Sequence, residues 1–469
     1  MDTRTRETGS VLRLVSAFSG TFMALLDLTI VNVAAPSIQA DLNTDLAGLQ
    51  WVVDGFALAL AALMLSGGSL GDRYGRKRVF LSGLGVFVVA SVLCALAPTL
   101  AVLVAGRCLQ GAAAAVIVPG ALSLIGQAVP DPRDRARVMG YWGMAGALAV
   151  IAGPLLGGLL VDTLGWPSIF LVNVPVGLAA IVIGLRAIPE SADPRHAALD
   201  PAGQVLVIGA LAALSYGVIE ARSHGWESWI TIGSLTAAVL AAVLVPLVER
   251  RVIRPLLPLG LFRDARFTIT NLASVALGFA ANGGFFLLSA LYLQQLRGHS
   301  AMETGLALLP MTLSVLPASL VAGRLNAAHG PRLPMLTGYV LTGAALAAMT
   351  VFDAGTPYPV VAVLFVVAGV GQGLAITPAA AAVLETVPLE RSGIAAATVN
   401  TARQVGTALG VAVLGTIVAE SRDPVHGMQV SLLVAGAVTL AAAALLAVRW
   451  RAPERPPAEQ VPASEPVAD

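Results

Sequence analysis

Four ionisable side chains stand inside long apolar stretches of the sequence: Asp27, Asp54, Arg107 and Arg403. Charged groups are costly in hydrocarbon, and inside a membrane they usually face a cavity or a partner of opposite charge. A carboxylate whose charge balance changes with its access to water can take up a proton on one side and release it on the other. The sequence therefore predicts a proton-coupling site, with Asp27 and Asp54 as candidate carboxylates.

Asp27 and Arg107 are predicted to lie at matching depths. At the rise of an α-helix, Asp27 lies roughly 9 Å from the outer end of its apolar run, and Arg107 roughly 10–12 Å from the outer end of its own. If the two runs adjoin, the acid and the base face each other across a shared cavity. The alternative is a fixed ion pair that only holds helices together. For Asp54, the alternative is a position close enough to the interface to reach water.

A second polar group lies in the apolar run at 393–419. Asn400 and Gln404 are four residues apart and share a helix face, with Arg403 beside them. Arg403 lies roughly 15 Å from the inner end, near the midplane, where its side chain cannot easily reach the interface. These three residues either bind polar groups of a substrate in a cavity or hydrogen-bond to other helices as part of their packing.

The sequence around these residues predicts an integral membrane protein. Hydrophobic residues make up 57% of the 469 residues and charged residues 12%, whereas a soluble domain is usually about 25% charged. A helical span needs about 20 mostly apolar residues. Fourteen runs have this length, near residues 11–33, 50–70, 79–97, 100–124, 138–161, 168–187, 202–219, 229–248, 267–293, 303–323, 333–352, 358–383, 393–419 and 428–448.

The distribution of basic residues sets the orientation. With the N-terminus inside, 23 of the 28 Lys and Arg residues fall in inner segments and three in outer loops. One missed helix would reverse every later loop, so this asymmetry supports the span count. We expect a multi-pass protein of the bacterial plasma (inner) membrane with both termini cytoplasmic.

Residues 188–266 behave as an insert, because their removal leaves six spans on each side. Repeated halves are a common transporter plan, with the site at their interface. The predicted fold is an all-α integral membrane fold of two six-helix bundles plus two inserted helices. We expect an N-terminal bundle at 1–187, the insert with its linkers at 188–266, a C-terminal bundle at 267–451, and a disordered cytoplasmic tail at 452–469, since that tail is rich in Pro, Ala and Glu.

The connection between predicted spans 2 and 3 concentrates charge between glycines. Its residues include Gly68, Gly71, Asp72, Arg73, Gly75, Arg76, Lys77 and Arg78. The basic residues alone would serve as a topology anchor. The ordered pattern Gly-x-Leu-Gly-Asp-Arg-x-Gly-Arg-Lys-Arg is more specific than that.

Predicted span 5 carries Gly153, Pro154, Gly157 and Gly158. Small residues let helices pack backbone to backbone, and Pro bends a helix. Ordinary small-residue packing is one interpretation of them. The order Gly-Pro-x-x-Gly-Gly indicates a more specific role.

Four stretches together resemble the 14-span drug:proton antiporters of the major facilitator superfamily, the EmrB/QacA type. LLDLTIVNVAAP in span 1 is similar to their Asp-containing motif, and the loop at 68–78 is similar to the gate motif of the superfamily. LVAGRCLQG resembles the span-4 arginine motif, and GALAVIAGPLLGG resembles the span-5 antiporter motif. The resemblance implies two bundles around a central cavity that opens alternately inward and outward.

The resemblance also implies roles for these motifs. Asp27 would take up and release the proton, Arg107 would tune that proton, and the span-5 motif would favour antiport. Two departures stand out. The chain has Trp166, Pro167 and Ser168 where the family commonly has Trp-Arg-Trp. Its C-terminal half has no clear acid within its spans, whereas some members use one for cationic drugs, so a preference for dications is not supported.

The gate motif suggests a physical role for Asp72. We expect it to meet the N-terminus of a span of the other bundle, near Arg391, Ser392 and Gly393, where the helix dipole favours a carboxylate by about 0.3–1 kcal/mol. This contact would lock the cytoplasmic side shut in the outward-open state. Arg76 is expected to pair with Asp131 or Asp134. The predicted gate residues are thus Gly68, Asp72, Arg73, Gly75, Arg76 and Arg391.

The sequence therefore predicts a proton-coupled multidrug exporter of small amphipathic compounds or antibiotics. Its coupling ion is the proton, its other contact is the lipid bilayer, and we expect no further cofactor, metal site or nucleic acid partner. One alternative is a proton-coupled or facilitative importer of a specific solute. The other is an integral membrane enzyme or receptor, which the lack of paired carboxylates, thiol–histidine pairs and phosphate-binding loops disfavours.

Overall fold

The structure is a computed structural model, and it describes the backbone of residues 3–129, 131–192, 200–251, 259–387 and 392–450. Side chains are described throughout these ranges except at residues 3–10, 65, 132–137, 139–140, 143, 147, 222–223, 282–283, 392–394 and 396. The predicted tail at 452–469 lies outside the described residues.

Fourteen helices of the described chain are long and apolar enough to cross a membrane, as the sequence predicts. The helices of spans 1 to 8 are Thr3–Asp41, Leu46–Tyr74, Arg76–Ala95, Leu100–Ala128, Pro132–Leu164, the pair Ser168–Leu171 and Asn173–Ala187, Pro201–Ile219 and Trp229–Glu249. Those of spans 10 to 14 are the pair Ala301–Ala307 and Leu309–His329, then Arg332–Ala348, Tyr358–Leu384, Ser392–Glu420 and Pro424–Arg449. A short helix, Ala221–His224, joins spans 7 and 8.

Span 9 is not a regular α-helix along its whole length. It runs as α-helix over Ala265–Leu277 and Phe286–Leu291, and as wider π-helix over Gly278–Phe285 and Tyr292–Leu296. A π-helical turn is rare and often accompanies function. The hydrophobic pattern of the sequence did not reveal it, because the same residues satisfy an ordinary apolar span.

Capping side chains set the starts of several spans. Asp45 accepts a hydrogen bond from Gly48 N at 3.0 Å at the start of span 2. At span 10, Ser300 and Glu303 form a reciprocal capping box. Such side chains satisfy N–H groups that have no partner within the helix. The outer loops before spans 2 and 10 therefore hold these helices at fixed starting points.

Span 1 extends further outward than predicted. The predicted run ends at residue 33, but the helix continues through Pro36 to Asp41. The rise from Asp27 to Asp41 is roughly 21 Å, so Asp27 is near the middle of the helix and the shallower depth predicted for it was wrong. The error arose because apolar content was taken as the limit of the span, although the helix also includes less apolar residues at its outer end.

The spans form two bundles with the insert packed beside them. In the N-terminal bundle, span 4 packs against spans 2 and 3, and span 1 against span 5; in the C-terminal bundle, span 12 packs against spans 10 and 11. Spans 7 and 8 pack against each other, and span 7 also contacts span 2 and span 13. The insert thus lies along the boundary between the bundles. The residue limits assigned to the domains stay a prediction.

Two tryptophan–glutamate hydrogen bonds fasten the insert on its outer side. Trp51 of span 2 donates to Glu220 Oε1 at 3.1 Å, and Trp226 of the insert donates to Glu420 Oε1 of span 13 at 2.7 Å. Farther in, the hydroxyl of Ser66 donates to Gln204 Oε1 of span 7. The insert is therefore attached to both bundles at its outer end and to span 2 at its inner end.

Replacing Trp51 with Phe should lower the stability of the protein. The variant keeps an aromatic ring but removes the donor to Glu220, and a hydrogen bond of this kind contributes about 0.5–1.5 kcal/mol. The expected result is a lower apparent melting temperature in detergent. It is measured as the temperature at which heated protein loses its monodisperse peak on size exclusion. Trp229→Phe is the matched control, because Trp229 is 83% exposed. Equal melting of the two variants would contradict a fastening role for Trp51.

Candidate functional site

Asp27 lies at the centre of a buried hydrogen-bond network in the N-terminal bundle. Its Oδ2 accepts a hydrogen bond from Arg107 Nη1. Its Oδ1 accepts from Asn173 Nδ2 at 2.8 Å and from Gln110 Nε2 at 3.2 Å. The side chains of Asp27 and Arg107 are 0% exposed. The structure thus brings together the acid of span 1 and the base of span 4, which the sequence predicts to face each other if their spans adjoin.

Arg107 is fixed by several further contacts. Its Nε donates to Val52 O at 3.0 Å, and its Nη1 also donates to Gln110 Oε1 at 2.9 Å. The guanidinium lies over the ring of Phe56, 4.4 Å from the centroid, where a cation is attracted to the aromatic face. Its Nη2 has no hydrogen-bond partner among the described residues. The cation therefore keeps one donor nitrogen that can bind a new acceptor when Asp27 loses its charge.

The network joins five spans through short contacts. Its members are Asp27 of span 1, Val52 of span 2, Ser91 of span 3, Arg107 and Gln110 of span 4, and Asn173 of span 6. Removing one charge of a buried ion pair costs about 3–5 kcal/mol. Protonation of Asp27 removes such a charge, so it changes the energetics of five packed helices at once.

Asp54 faces the insert. It is 0% exposed, and neither of its carboxylate oxygens has a hydrogen-bond partner among the described residues. Ser215 of span 7 is its polar neighbour, although the hydroxyl does not reach hydrogen-bond geometry. The structure therefore does not support the alternative in which Asp54 reaches water. Its part in proton coupling stays a prediction.

The polar group of span 13 forms a compact unit. Arg403 Nη2 donates to Asn400 Oδ1 at 2.7 Å, nearly one turn away. Gln404 is buried, whereas Arg403 is partly exposed. A side chain at Gly278 of span 9 would collide with the carbonyl of Arg403, so the two backbones touch here. This close packing fixes the height of Arg403 in the C-terminal bundle, while a role for the three residues in a substrate cavity stays a prediction.

The charged loop between spans 2 and 3 is held by the chain that follows span 6. Gly75 has φ 104°, a conformation that favours glycine. The carboxylate of Glu190 accepts from the backbone N–H groups of Lys77 and Arg78, both at 3.1 Å, and so caps the first turn of span 3. A Cβ at Gly75 would lie 2.7 Å from Glu190 Oε1. Glycine is therefore needed here both for its conformation and for the approach of Glu190.

Within this loop the gate carboxylate pairs locally. Arg76 Nε donates to Asp72 Oδ1 at 2.6 Å, and Arg73 lies over the ring of Tyr74. Gly68 faces span 4, where an added Cβ would meet Pro119 at 3.9 Å. Arg391 and the side chains of Ser392 and Asp134 lie outside the described residues. The contact of Asp72 with span 13, and of Arg76 with Asp131 or Asp134, therefore stay predictions.

The span-5 motif presents two different faces. On one face, a Cβ at Gly153 would collide with Thr29 of span 1, and one at Gly157 would lie 3.0 Å from Ile30. On the other face, a Cβ at Gly158 would lie 2.6 Å from Met302 Cα of span 10. Pro154 also faces span 10, because a Cβ at Gly305 would lie 2.9 Å from its carbonyl carbon. The motif thus packs without side chains against both span 1 and the C-terminal bundle.

Polar contacts close the same boundary on the outer side, and we call this set the outer seam. Asp162 accepts from the N–H groups of Ala301 and Met302 at 3.2 and 2.8 Å. Gln294 Nε2 donates to Val33 O at 2.9 Å. Gln50 Nε2 donates to the carbonyls of Val411 and Ala412 at 2.9 and 2.8 Å. The two bundles are therefore in contact at the end that the predicted orientation places outside.

Two cavities, of about 600 and 360 Å³, flank the insert at the outer rim. The larger is lined by Trp226, Glu420 and Arg422, and the smaller by Asp45, Trp51 and Glu220. None of the predicted site residues lines either cavity. The network around Asp27 and the polar unit of span 13 therefore lie apart from these two cavities.

A sequence model described as the Major Facilitator Superfamily matches residues 17–411 and, in a second match, residues 272–468. The chain belongs to the Major Facilitator Superfamily. It is 39% identical over 431 residues to a methylenomycin A resistance protein of Streptomyces coelicolor, covering 92% of this chain and 90% of the relative.

Two further similar members of the superfamily have names of the same kind. A multidrug resistance protein Stp of Mycobacterium tuberculosis is 37% identical over 409 residues, covering 87% of this chain and 76% of the relative. A tetracenomycin C resistance and export protein of Streptomyces glaucescens is 38% identical over 408 residues, covering 87% and 75%.

Several residues that make contacts in the candidate site were not predicted from the sequence of this superfamily member. Gln110 lies one turn from Arg107 in the span-4 motif and could have been found by that spacing. Asn173, Glu190 and Asp162 gave no comparable signal, because a single polar residue near a span end is ordinary. Their contacts join positions more than 100 residues apart.

Gly158→Ala should open the outer seam. Its Cβ would lie 2.6 Å from Met302 Cα, a distance that forces the two backbones apart, and overpacking of this kind typically costs about 1–3 kcal/mol. The measurement is labelling of a Val33→Cys reporter by a membrane-impermeant maleimide applied from outside, with Cys94 and Cys108 replaced by Ser. Val33 is suitable because it is fully buried at the seam, where its carbonyl accepts from Gln294 at 2.9 Å. We expect labelling to be several-fold faster in Gly158→Ala.

Gly85→Ala is the control for this variant. A Cβ at Gly85 meets nothing within 4 Å, so the same chemical change should leave the labelling rate unaltered. Labelling of Gly158→Ala at the wild-type rate, in protein that elutes as a single folded species, would contradict the role of Gly158 in the seam.

Proposed function

We propose that this chain is a proton-coupled exporter of small amphipathic drugs or antibiotics that works by alternating access. It would act in the plasma (inner) membrane of a bacterium, with both termini cytoplasmic and its apolar helix faces in contact with lipid. The proton is the coupling ion, and we propose no further cofactor. Support comes from the relatives, whose names specify resistance to a named antibiotic or multidrug resistance and, in one case, export.

One observation carries the proposal of antiport: the buried carboxylate and the outer seam share span 1. Asp27 lies two and three residues from Thr29 and Ile30, which pack against Gly153 and Gly157 of span 5. The opposite face of span 5 packs against span 10 at Gly158. A change of charge at Asp27 therefore acts on a helix that touches the closing motif directly.

The proposed cycle follows from this connection. With Asp27 ionised, Arg107, Gln110 and Asn173 hold span 1 against spans 4 and 6 and the outer seam stays closed. Protonation of Asp27 leaves Arg107 without a negative partner and weakens these contacts. Such a change biases an element that has two packed arrangements, which is how a local charge switch moves a bundle. Asp27 would take up its proton from outside while the seam is open and release it to the cytoplasm after the seam has closed, and the ionised carboxylate would then pair with Arg107 again.

The cytoplasmic gate would act in the opposite half of the cycle. Here Asp72 pairs with Arg76 at 2.6 Å. When the cytoplasmic side closes, Asp72 would exchange this local partner for the N-terminus of span 13. Glu190 would keep the loop itself in place during the exchange, because it holds the first turn of span 3.

Asp27→Asn should abolish drug accumulation that is driven by a proton gradient. The experiment uses inverted membrane vesicles with an imposed proton gradient and a panel of lipophilic drugs and dyes. The amide keeps the size of the side chain but cannot cycle between a charged and a neutral form. We expect the wild type to accumulate the drugs, and accumulation in Asp27→Asn vesicles to fall to the level of vesicles without the protein.

Asp54→Asn separates the two candidate carboxylates in the same assay. Asp54 is buried against Ser215 of the insert, away from the Arg107 network, so we expect a weaker effect than that of Asp27→Asn. Accumulation that survives unchanged in Asp27→Asn and disappears in Asp54→Asn would move the proton site to span 2 and contradict the cycle above.

A further inference from the structure

The C-terminal bundle contains a partly buried cation, Arg403, that has no carboxylate partner among the described residues. Within spans 9 to 14 the sequence has two acidic residues, Glu303 and Glu420, and both lie at the outer ends of their helices. Arg403 lies roughly 25 Å of helix rise from Glu420. Glu420 already accepts from Trp226 at 2.7 Å, so it cannot serve as the partner of Arg403. In the described part of the chain, no ion pair of Arg403 is seen.

The neighbours of Arg403 supply further hydrogen-bonding groups rather than a negative charge. Its contact is the neutral amide oxygen of Asn400 at 2.7 Å. Tyr339 of span 11 lies close enough to interact with it electrostatically. The hydroxyl of Tyr339 is fully buried and has no hydrogen-bond partner among the described residues. The nearby Ser274 donates its own proton to Thr270 O at 2.8 Å, so it does not donate to Tyr339.

A second donor without a partner among the described residues lies on span 12. Gln372 of span 12 is 4% exposed, and its Nε2 has no partner in the described structure. It shares a helix stripe with Ala375 and Ala379, which pack in one cluster with Tyr339. Helices 11, 12 and 13 thus each contribute a donor group to the interior of this bundle.

The N-terminal bundle also contains an arginine within its spans, but there a carboxylate lies beside it. Arg107 is fully buried, and Asp27 neutralises it. A cation near the bilayer centre costs roughly 2.5–3.5 kcal/mol even by the lower measured scales, so an uncompensated one calls for an anionic partner. Arg403 is partly exposed, so the residue is not sealed inside the bundle, whereas Tyr339 and Gln372 are buried.

We propose that Arg403, with Asn400 and Tyr339 near it, binds an anionic group of the substrate, such as a carboxylate. Guanidinium is suited to this because it presents several donors in a planar fork that matches a carboxylate. The proposal rests on the proposed export function and adds a substrate class to it: amphipathic acids in preference to their neutral or cationic counterparts. The lack of acids in these spans removes the attraction that a cationic drug would need.

The test measures binding rather than transport. The full chain, purified in a nonionic detergent, is titrated with dansyl-leucine, dansyl-phenylalanine, dansyl-norleucine and dansyl-methionine, and with the methyl ester of each. Dansyl fluorescence reports Kd. We expect the wild type to bind at least one acid about tenfold or more tightly than its own ester, as a hydrogen bond to a charged group allows.

Variants then assign the preference to Arg403. Arg403→Gln should reduce the ratio of ester Kd to acid Kd to about one, and Arg403→Lys should retain part of it because the charge is kept. Tyr339→Phe should weaken binding of the acid several-fold and leave the ester unchanged. If no acid binds more tightly than its ester to the wild type, or if the preference survives in Arg403→Gln, the proposal is wrong.

Two further arms separate this result from other causes. In Asp27→Asn the acid preference should persist, so a failure of proton coupling and a failure of this proposal give different results. Added phosphatidylglycerol tests whether the anionic group is a lipid headgroup. Loss of the acid preference at low phosphatidylglycerol content, with ester binding unchanged, would assign the site to lipid and overturn the proposal.

Discussion

The buried ion pair between Asp27 and Arg107 is the interaction on which the N-terminal bundle depends. Two fully buried charges are tolerated in the apolar interior because each neutralises the other and the remaining hydrogen-bonding groups are largely filled by Gln110, Asn173 and Val52. This arrangement ties five helices to the charge of one carboxylate. A single proton can therefore alter the packing of a whole bundle, which a surface ion pair could not do.

Close backbone packing turns this local change into movement of the bundle boundary. Glycines of span 5 touch span 1 on one face and span 10 on the other, so little side-chain volume exists to absorb a shift. Packed interfaces of this kind respond by changing between discrete arrangements. The insert adds a constraint of its own, because hydrogen bonds fasten it to span 2 and to span 13 at the outer end.

The sequence predicted the spans and the pair of Asp27 and Arg107. It did not predict contacts that depend on which helices become neighbours. Fourteen spans follow from apolar content alone, and the charges of Asp27 and Arg107 stand out because ionisable residues are rare in such runs. Gln50, Asn173 and Asp162 did not stand out, since their contacts depend on which helices become neighbours. The π-helical turns of span 9 and the position of Asp54 beside Ser215 depend equally on packing. Apolar content also placed Asp27 too close to the outer end of span 1.

The central claim is that Asp27 exchanges its proton for the drug. The most direct test adds the drug that accumulates most strongly in vesicles to the purified protein in weakly buffered detergent, and follows the pH with an indicator dye. The account predicts that drug binding releases protons from the wild type and releases none from Asp27→Asn, although the variant still binds the drug. Equal proton release by the two proteins would contradict it, because the exchangeable proton would then belong to another group.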